Sequence, residues 1–418
     1  MRILFLSHYF PPEVNAPASR TYEHCRAWVT AGHEAIVVTN VPNHPAGRIY
    51  PGYRNRFVQR KEVAGISVYR LLTFLAPNRG VLRRGLNYSF YLLMAVLVAP
   101  FLPRVDIVVS TSPQFFCGLA GYFVSRIKRV PWVLEVRDLW PESIVAVGAM
   151  QRSFTLRCLA GMAKFAYRKA DLVLCVTDSF KTAIMAEGIP GDKIAVIKNG
   201  VDLDFYAPES IPVPEAAQIP GLGDVRGKFI AAYVGTHGMA HGLDTVLEAA
   251  ALLRDEPDIL FLLVGDGARR EHLLQRRDSM KLDNVVMLGQ QPKSMMPMIW
   301  AITGASLVLL KDEPTFLNVI PSKIFESMAM QRPIILGVSG ESQALVEESE
   351  AGVCIQPESA EQLAAAVRRL HADVEGRRKL GQAGRRYVAE NFDRKVLAAR
   401  YLDLLAGVVA GRCPASRI

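Results

Sequence analysis

Cysteine is sparse in this sequence, and the six cysteines present (Cys25, Cys117, Cys158, Cys175, Cys354, Cys413) form no C-x-x-C pair and no His/Cys cluster. That argues against a zinc site or a disulfide framework and fits a reducing compartment. No charged leader or cleavage site precedes the strand-like run at residues 2–7, so a secretory signal is not expected. The dinucleotide fingerprint G-x-G-x-x-G is missing, which disfavours a nicotinamide cofactor. Neither a zinc finger nor an RNP-type aromatic motif is present, so nucleic acid is not an expected partner.

Acidic residues are scarce in one region. Residues 48–104 carry ten basic side chains against the single acid Glu62. Residues 1–206 hold 25 Lys/Arg and 14 Asp/Glu, whereas residues 207–418 hold 24 and 26, so the net charge of +9 belongs to the first half. A basic patch implies an acidic partner, and without a nucleic-acid module an anionic membrane surface is favoured. The basic region also holds an uncharged run of 17 residues, Leu86 to Leu102, flanked by Arg79, Arg83, Arg84 and Arg104. It lies at the lower limit for a membrane span and contains Pro100. Two readings stay open: a helix buried between sheet and surface, or one lying in the membrane interface with arginines on headgroups.

Half of the 418 residues are hydrophobic and 21% are charged, which suits a packed globular chain of two domains. Short β-branched runs alternate with helical patterns and predict βαβ units on parallel sheets. Strands are expected at 3–6, 35–39, 107–110, 132–136, 172–176 and 194–197, with an antiparallel pair within 57–72. A Pro- and Gly-rich stretch at 211–227 reads as a linker. The pattern restarts with strands at 229–234, 260–264, 285–288, 307–310 and 334–336, and a helical tail covers 360–409. Two doubly wound domains imply a central cleft, with ligands at the carboxyl ends of the strands.

Five places carry candidate chemistry. After the first strand, a helix opens near Pro17, and Arg20 in its first turn suits a phosphate, or is simply a solvated helix residue. After the strand at 132–136, Asp138 precedes Trp140 and Pro141 and is placed to accept a sugar or acceptor hydroxyl, or to cap a helix or pair with Arg137. In YVGTHGMAHGLD, Gly235, Gly238 and Gly242 permit close backbone approach, and His237 and His241 add polar groups. In NVIPSKIFESMAM, Pro321 suits a first helical turn and leaves the amides of Ser322 and Lys323 free for a pyrophosphate. Lys323 adds a point charge, and Glu326 one turn on suits a ribose diol. Last, Asp202 and Asp204 form a D-x-D that tempts a metal assignment.

HYFPPE, RDLWPES, NGVDLDFY, YVGTHGMAHGLD, LVGDG and PSKIFESMA, in this order, resemble the retaining glycosyltransferases of the GT-B fold, family four. The subgroup of bacterial envelope-polysaccharide enzymes with fucosaminyl and N-acetylhexosaminyl transferases is the most similar. The resemblance implies an α/β GT-B fold of two Rossmann-like domains: 1–206 for the acceptor, with a membrane-facing segment 79–104; a linker 207–227; 228–392 for the nucleotide sugar; and a helix, 393–418, returning to the first domain. By the resemblance Glu326 is the second glutamate of an E-x7-E signature, with Asn318 where the first would stand. The relatives' diphosphate Arg and Lys fall at Thr236 and His241, which shifts charge neutralisation to Lys323 and Arg20. The relatives' His-Asp pair appears as Arg137-Asp138, and Asp138 and Lys323 are the expected catalytic residues. The implied activity is metal-free transfer, with retention, from a UDP-sugar to a polyprenyl-phosphate-linked or saccharide acceptor. Arg79, Arg83, Arg84 and Trp140 would serve the acceptor and membrane side of a cytoplasmic, peripheral membrane enzyme of O-antigen or capsule synthesis. The rivals are a UDP-sugar 2-epimerase of the same architecture and a non-catalytic membrane-associated scaffold.

Overall fold

Runs of Val, Ile and Leu without alternation make strands covered on both faces. In the computed structural model, which describes residues 1–13, 15–44, 46–76, 81–112, 114–139, 154–211 and 219–412, such runs build two sheets. The chain divides into two compact units: Met1–Lys198 with Arg394–Ile418, and Asn199–Asp393.

The sheet of the first unit holds β1 (Arg2–Leu6), β2 (Glu34–Asn40), β3 (Val58–Val63), β4 (Ile66–Leu71), β5 (Ile107–Thr111), β6 (Trp132–Val136), β7 (Leu172–Cys175) and β8 (Ile194–Val196). Their order is β3-β4-β2-β1-β5-β6-β7-β8, parallel throughout except for the β3/β4 hairpin. The order reverses at β1, which pairs with β2 on one side and β5 on the other. Helices α1 (Ala16–Thr30), α2 (Val81–Val98), α3 (Phe115–Lys128), α4 (Phe154–Lys169) and α5 (Asp178–Ala186) complete the crossovers. Asn15 caps α1, its side-chain oxygen accepting from Ala18 N at 2.9 Å. Successive strand residues point to opposite faces. Thus Leu4, Leu6, Ile36 and Val38 enter one apolar core, and Ile3, Phe5, Ala35 and Val37 the other.

The second unit's sheet is wholly parallel, in the order β11-β10-β9-β12-β13-β14. Its strands are β9 (Phe229–Val234), β10 (Ile259–Val264), β11 (Val285–Leu288), β12 (Ala305–Leu309), β13 (Ile334–Gly337) and β14 (Gly352–Cys354). Its helices are α6 (Asp244–Leu252), α7 (Arg270–Ser279), α8 (Met296–Ile302), α9 (Lys323–Ala329), α10 (Glu341–Glu348), α11 (Ala360–Ala372) and α12 (Val374–Asn391). The last helix, α13 (Arg394–Val409), leaves this unit and belongs to the first. Its Leu397, Tyr401, Leu404 and Leu405 cover the core containing Trp28, whose indole N–H donates to Ala398 O at 3.0 Å.

The observed boundary comes earlier than residue 206. Val201 bridges Asp393, and Val201 and Tyr206 are buried in the second unit's core. The Pro/Gly-rich stretch is not all linker either, because Ile219, Leu222 and Val225 enter the same core, while residues 212–218 lie outside the described residues. Strand β14 escaped sequence reading because three residues at a sheet edge carry too little pattern.

Candidate functional site

At the carboxyl ends of the second unit's central strands, glycines bring two loops into backbone contact. Gly235 follows β9 with φ +146°, and Gly265 and Gly267 follow β10 with φ +145° and +157°. A Cβ on Gly265 would fall 1.9 Å from Gly235 O, and one on Gly267 would fall 2.5 Å from His237 O. The loops are joined by His237 N donating to Asp266 O and Arg269 N donating to His237 O, both at 2.9 Å. This contact buries His237 completely and leaves both its ring nitrogens without a hydrogen-bond partner among the described residues. His241, at the end of the 3-10 turn Met239–His241, has an unpartnered Nδ1.

Helix α9 closes the wall from the other side. The Lys323 amine lies 3.5 Å from the centroid of the Tyr233 ring and has no hydrogen-bond partner among the described residues. It also explains Gly235, since a Cβ there would stand 3.0 Å from Nζ. Ser322 occupies the N-cap position without a side-chain cap bond, and Glu326 stands one turn on, its Oε2 accepting from Trp300 Nε1 at 3.3 Å. Asn318 ends the 3-10 turn Pro314–Asn318 that leads into this helix.

Buried polar atoms are normally hydrogen-bonded, so four orphaned nitrogens on three neighbouring side chains mark a place for a polar ligand. Burial pushes the Lys323 amine down to about 7, with Glu326 opposing the shift. Burial likewise lowers His237 to about 4, Arg270 adding to the effect, and His241 to about 3, with Lys323 adding to it. Both imidazoles are therefore neutral at pH 7. Two neutral rings, one amine able to take a charge, the helix start at Ser322 and an acceptor carboxylate suit a diphosphate next to a diol.

In the first unit Arg20 requires a correction. It lies in α1 but is only 5% exposed, with Nε on Glu135 at 3.3 Å, Nη1 on Lys198 O at 3.1 Å and Nη2 on Ile197 O at 2.9 Å. Its charge is committed to a carboxylate that is itself fully buried and also accepts from Thr111 at 2.8 Å, so it is a structural cation and not a phosphate ligand. At the end of β6, Ser112 Oγ accepts from the Arg137 amide at 2.7 Å and the Asp138 amide at 3.4 Å. Burial raises the Asp138 carboxyl to about 6, Arg137 partly offsetting it. Asp138 lines a small apolar pocket with Phe115, Leu119, Leu134 and Tyr167, where it can hold or release a proton near neutrality. Arg137 is pushed down to about 10 by burial, and its Nε and Nη1 have no partner among the described residues.

Arg79 and Trp140 lie outside the described residues. Arg83 and Arg84 are exposed at the start of α2, and Arg84 donates to the Tyr88 hydroxyl at 3.2 Å. The helix is neither fully buried nor a span. Tyr91, Met94, Ala95 and Val98 enter the core, whereas Leu86, Leu93 and Leu97 face outward, about half exposed, and Phe101 beyond them is 84% exposed. With the half-buried Phe90, the spacing of Leu86, Leu93 and Leu97 by three or four places these residues on one face of α2, and Phe101 follows in the 3-10 turn Ala99–Phe101. Phe123 and Ile127 of α3, which packs on α2, add to the exposed apolar surface. Among the described residues no helix is long and apolar enough to cross a membrane. Asp202 caps its own turn, accepting from the amides of Asp204 at 3.2 Å and Phe205 at 3.1 Å.

Three contributors were missed in the sequence. Tyr233 looks like any strand residue, and only its position next to the last strand residue signals exposure of its ring face to the loop. Trp300 gives no local sign of reaching Glu326, 26 positions away. Glu135, inside a buried strand, was a charge without a visible partner, which was itself a signal.

Two family descriptions match the chain: "Glycosyl transferase 4-like domain" at residues 15–200 and "Glycosyl transferases group 1" at residues 216–387. A putative colanic acid biosynthesis glycosyl transferase of Escherichia coli is 22% identical over 416 residues, covering 97% of this chain and all of the relative. Sucrose-phosphate synthase of Thermosynechococcus elongatus superimposes with a TM-score of 0.77 at 20% identity, covering 98% of this chain and 99% of that one. HepE of Anabaena, solved in complex with UDP-glucose, superimposes with a TM-score of 0.70 at 18% identity, covering 97% of this chain and 100% of that one.

Proposed function

We propose that this chain, matched over residues 15–200 and 216–387 by two glycosyltransferase descriptions and built on the GT-B fold, transfers a sugar, N-acetylhexosamine or deoxy-aminosugar in type, from a UDP-linked donor. The acceptor is a lipid-linked or saccharide chain of bacterial surface polysaccharide. One observation carries this reading: among the described residues the Lys323 amine, both ring nitrogens of His237 and Nδ1 of His241 lack hydrogen-bond partners, beside loops that glycines let pack closely. The UDP complex of HepE and the polysaccharide role in the Escherichia coli relative's name support the donor and the pathway class.

In this reading the diphosphate lies against Lys323, the Ser322 amide and Gly235, with His237 and His241 lining it, and Glu326 holds the ribose hydroxyls. Asn318 faces the sugar side. Charge developing on the leaving diphosphate is stabilised by Lys323 and the α9 amides, an electrostatic role that needs no metal. Its oxygen accepts the proton of the incoming hydroxyl, which gives retention without an enzymatic nucleophile, and Asp138 orients the acceptor or sugar hydroxyl. A panel of UDP-, GDP- and dTDP-sugars tested by thermal shift is expected to single out the UDP-sugars, since a bound donor stabilises by mass action. Glu326→Ala is expected to weaken the preferred donor by about ten- to a hundredfold, the worth of one or two hydrogen bonds to a charged acceptor. Equal affinity in the variant, read by calorimetry, removes Glu326 from the site.

The first unit then works at a membrane. The apolar face of Leu86, Phe90, Leu93, Leu97 and Phe101 starts beside Arg83 and Arg84, in the region with ten basic residues and one acid. An amphipathic surface of this kind lies in the headgroup layer of an anionic bilayer. Each arginine near such a surface contributes about 1 kcal/mol, so Arg83→Gln with Arg84→Gln is expected to lower partition to phosphatidylglycerol-containing vesicles by about twentyfold or more. Vesicle flotation unchanged in the double variant counts against membrane docking through this face.

A further inference from the structure

The donor wall holds less fixed positive charge than a diphosphate demands. We infer that it makes its cation on demand: binding of a nucleoside diphosphate sugar draws one proton from solvent onto the Lys323 amine. This rests on the donor-site reading above and concerns how that site obtains its charge.

Among the described residues the amine makes no hydrogen bond or ion pair, and Glu326 is the anion that acts on it from a distance. From β9 comes the face of Tyr233, at 3.5 Å from the ring centroid, with its hydroxyl given to Thr236 O at 2.8 Å. From the following loop come His237 and His241, both kept neutral by burial. On its own helix Glu326 favours the charged amine, but that carboxylate already receives the Trp300 indole N–H. Behind His237, Asp266 and Arg270 act with opposite signs. Burial is the largest influence on Lys323 and holds the amine near about 7, so much of it is uncharged in neutral solution.

A nucleoside diphosphate sugar carries two negative charges on a pyrophosphate diester that has no proton to exchange near neutrality. Placed against Nζ, it favours the ammonium form and raises the amine's pKa. Linkage then fixes the sign. The bound state holds more protons than the free state, so uptake grows with pH above about 7, and affinity weakens by up to about tenfold per pH unit over the same range. The transferred proton comes from water or buffer and ends on Nζ. No bond in the donor is made or broken.

The test is calorimetry of the whole protein with UDP-glucose and with UDP-N-acetylglucosamine, in HEPES and in Tris at matched pH. The buffer dependence of the binding heat is expected to report uptake of about 0.9 proton per donor at pH 8 and about 0.1 at pH 6. Lys323→Arg, which keeps its charge throughout, is expected to bind with no uptake. If that variant does not bind, the wild-type affinity between pH 7 and pH 9 gives the answer alone: a fall of about tenfold per unit supports the inference, and a flat profile overturns it. Saturable binding with buffer-independent heat at pH 8 overturns the proton uptake and leaves the donor site standing. Uptake that persists in Lys323→Arg also overturns it, placing the proton on another group. No saturable binding of either sugar nucleotide brings down both readings.

Discussion

Replacing Lys323 with methionine lowers kcat/KM for the UDP-sugar by about a hundredfold or more and leaves the protein at least as stable as before. The two halves of this expectation come from one observation. The amine has no hydrogen-bond partner among the described residues and sits over an aromatic face in a buried wall. Methionine keeps the unbranched stem against Tyr233 and removes an unsatisfied nitrogen, whose burial costs roughly 1–3 kcal/mol. Transfer chemistry loses a charged hydrogen bond to the leaving diphosphate, worth about 3 kcal/mol in a site that excludes water. Steady-state kinetics and thermal melting of one preparation measure both. Activity within threefold of wild type removes Lys323 from the reaction, and a large drop in melting temperature makes it a structural residue.

Arg20→Met is expected to do the reverse, costing about 3–5 kcal/mol of stability in the first unit with no direct loss at the donor wall. Its guanidinium is the partner that makes Glu135 tolerable in the middle of a sheet, and Glu135 has no exposure of its own. Removing one member of a buried pair leaves Glu135 its Thr111 hydroxyl and the more distant charge of Arg137, which do not replace a contacting guanidinium. Adding Glu135→Leu to the same chain is expected to recover much of the loss, since the uncompensated charge goes with it. Urea unfolding of the wild type, both single variants and the double variant closes the cycle. Additive losses show that the two residues do not act as a pair.

The contrast between these two residues shows what the sequence makes legible. Both are basic, both stand at the start of a helix after a strand, and both invite the same reading. The helix starts, strands and doubly wound order follow from local pattern, because apolar runs and Pro/Gly punctuation are properties of neighbouring residues. Whether a cation is paired depends on residues far along the chain: Glu135 is 115 positions from Arg20, and Tyr233 is 90 before Lys323. Likewise, the charge-free run at 86–102 was visible, but whether it was buried or exposed depended on which side chains α3 covers. The boundary near residue 199 was hidden for a similar reason, since Val201 is claimed by Asp393 at the other end of its unit.

That same connection sets an order of events during synthesis. The second unit is one continuous stretch, complete once residue 393 has left the ribosome, whereas the first unit is completed by α13, the last helix described. Until that helix emerges, Trp28 and the face of α1 around it lack the cover of Leu397, Tyr401 and Leu405. Domains generally fold as units in the order they are made, N-terminal first. Here the unit that begins first finishes last.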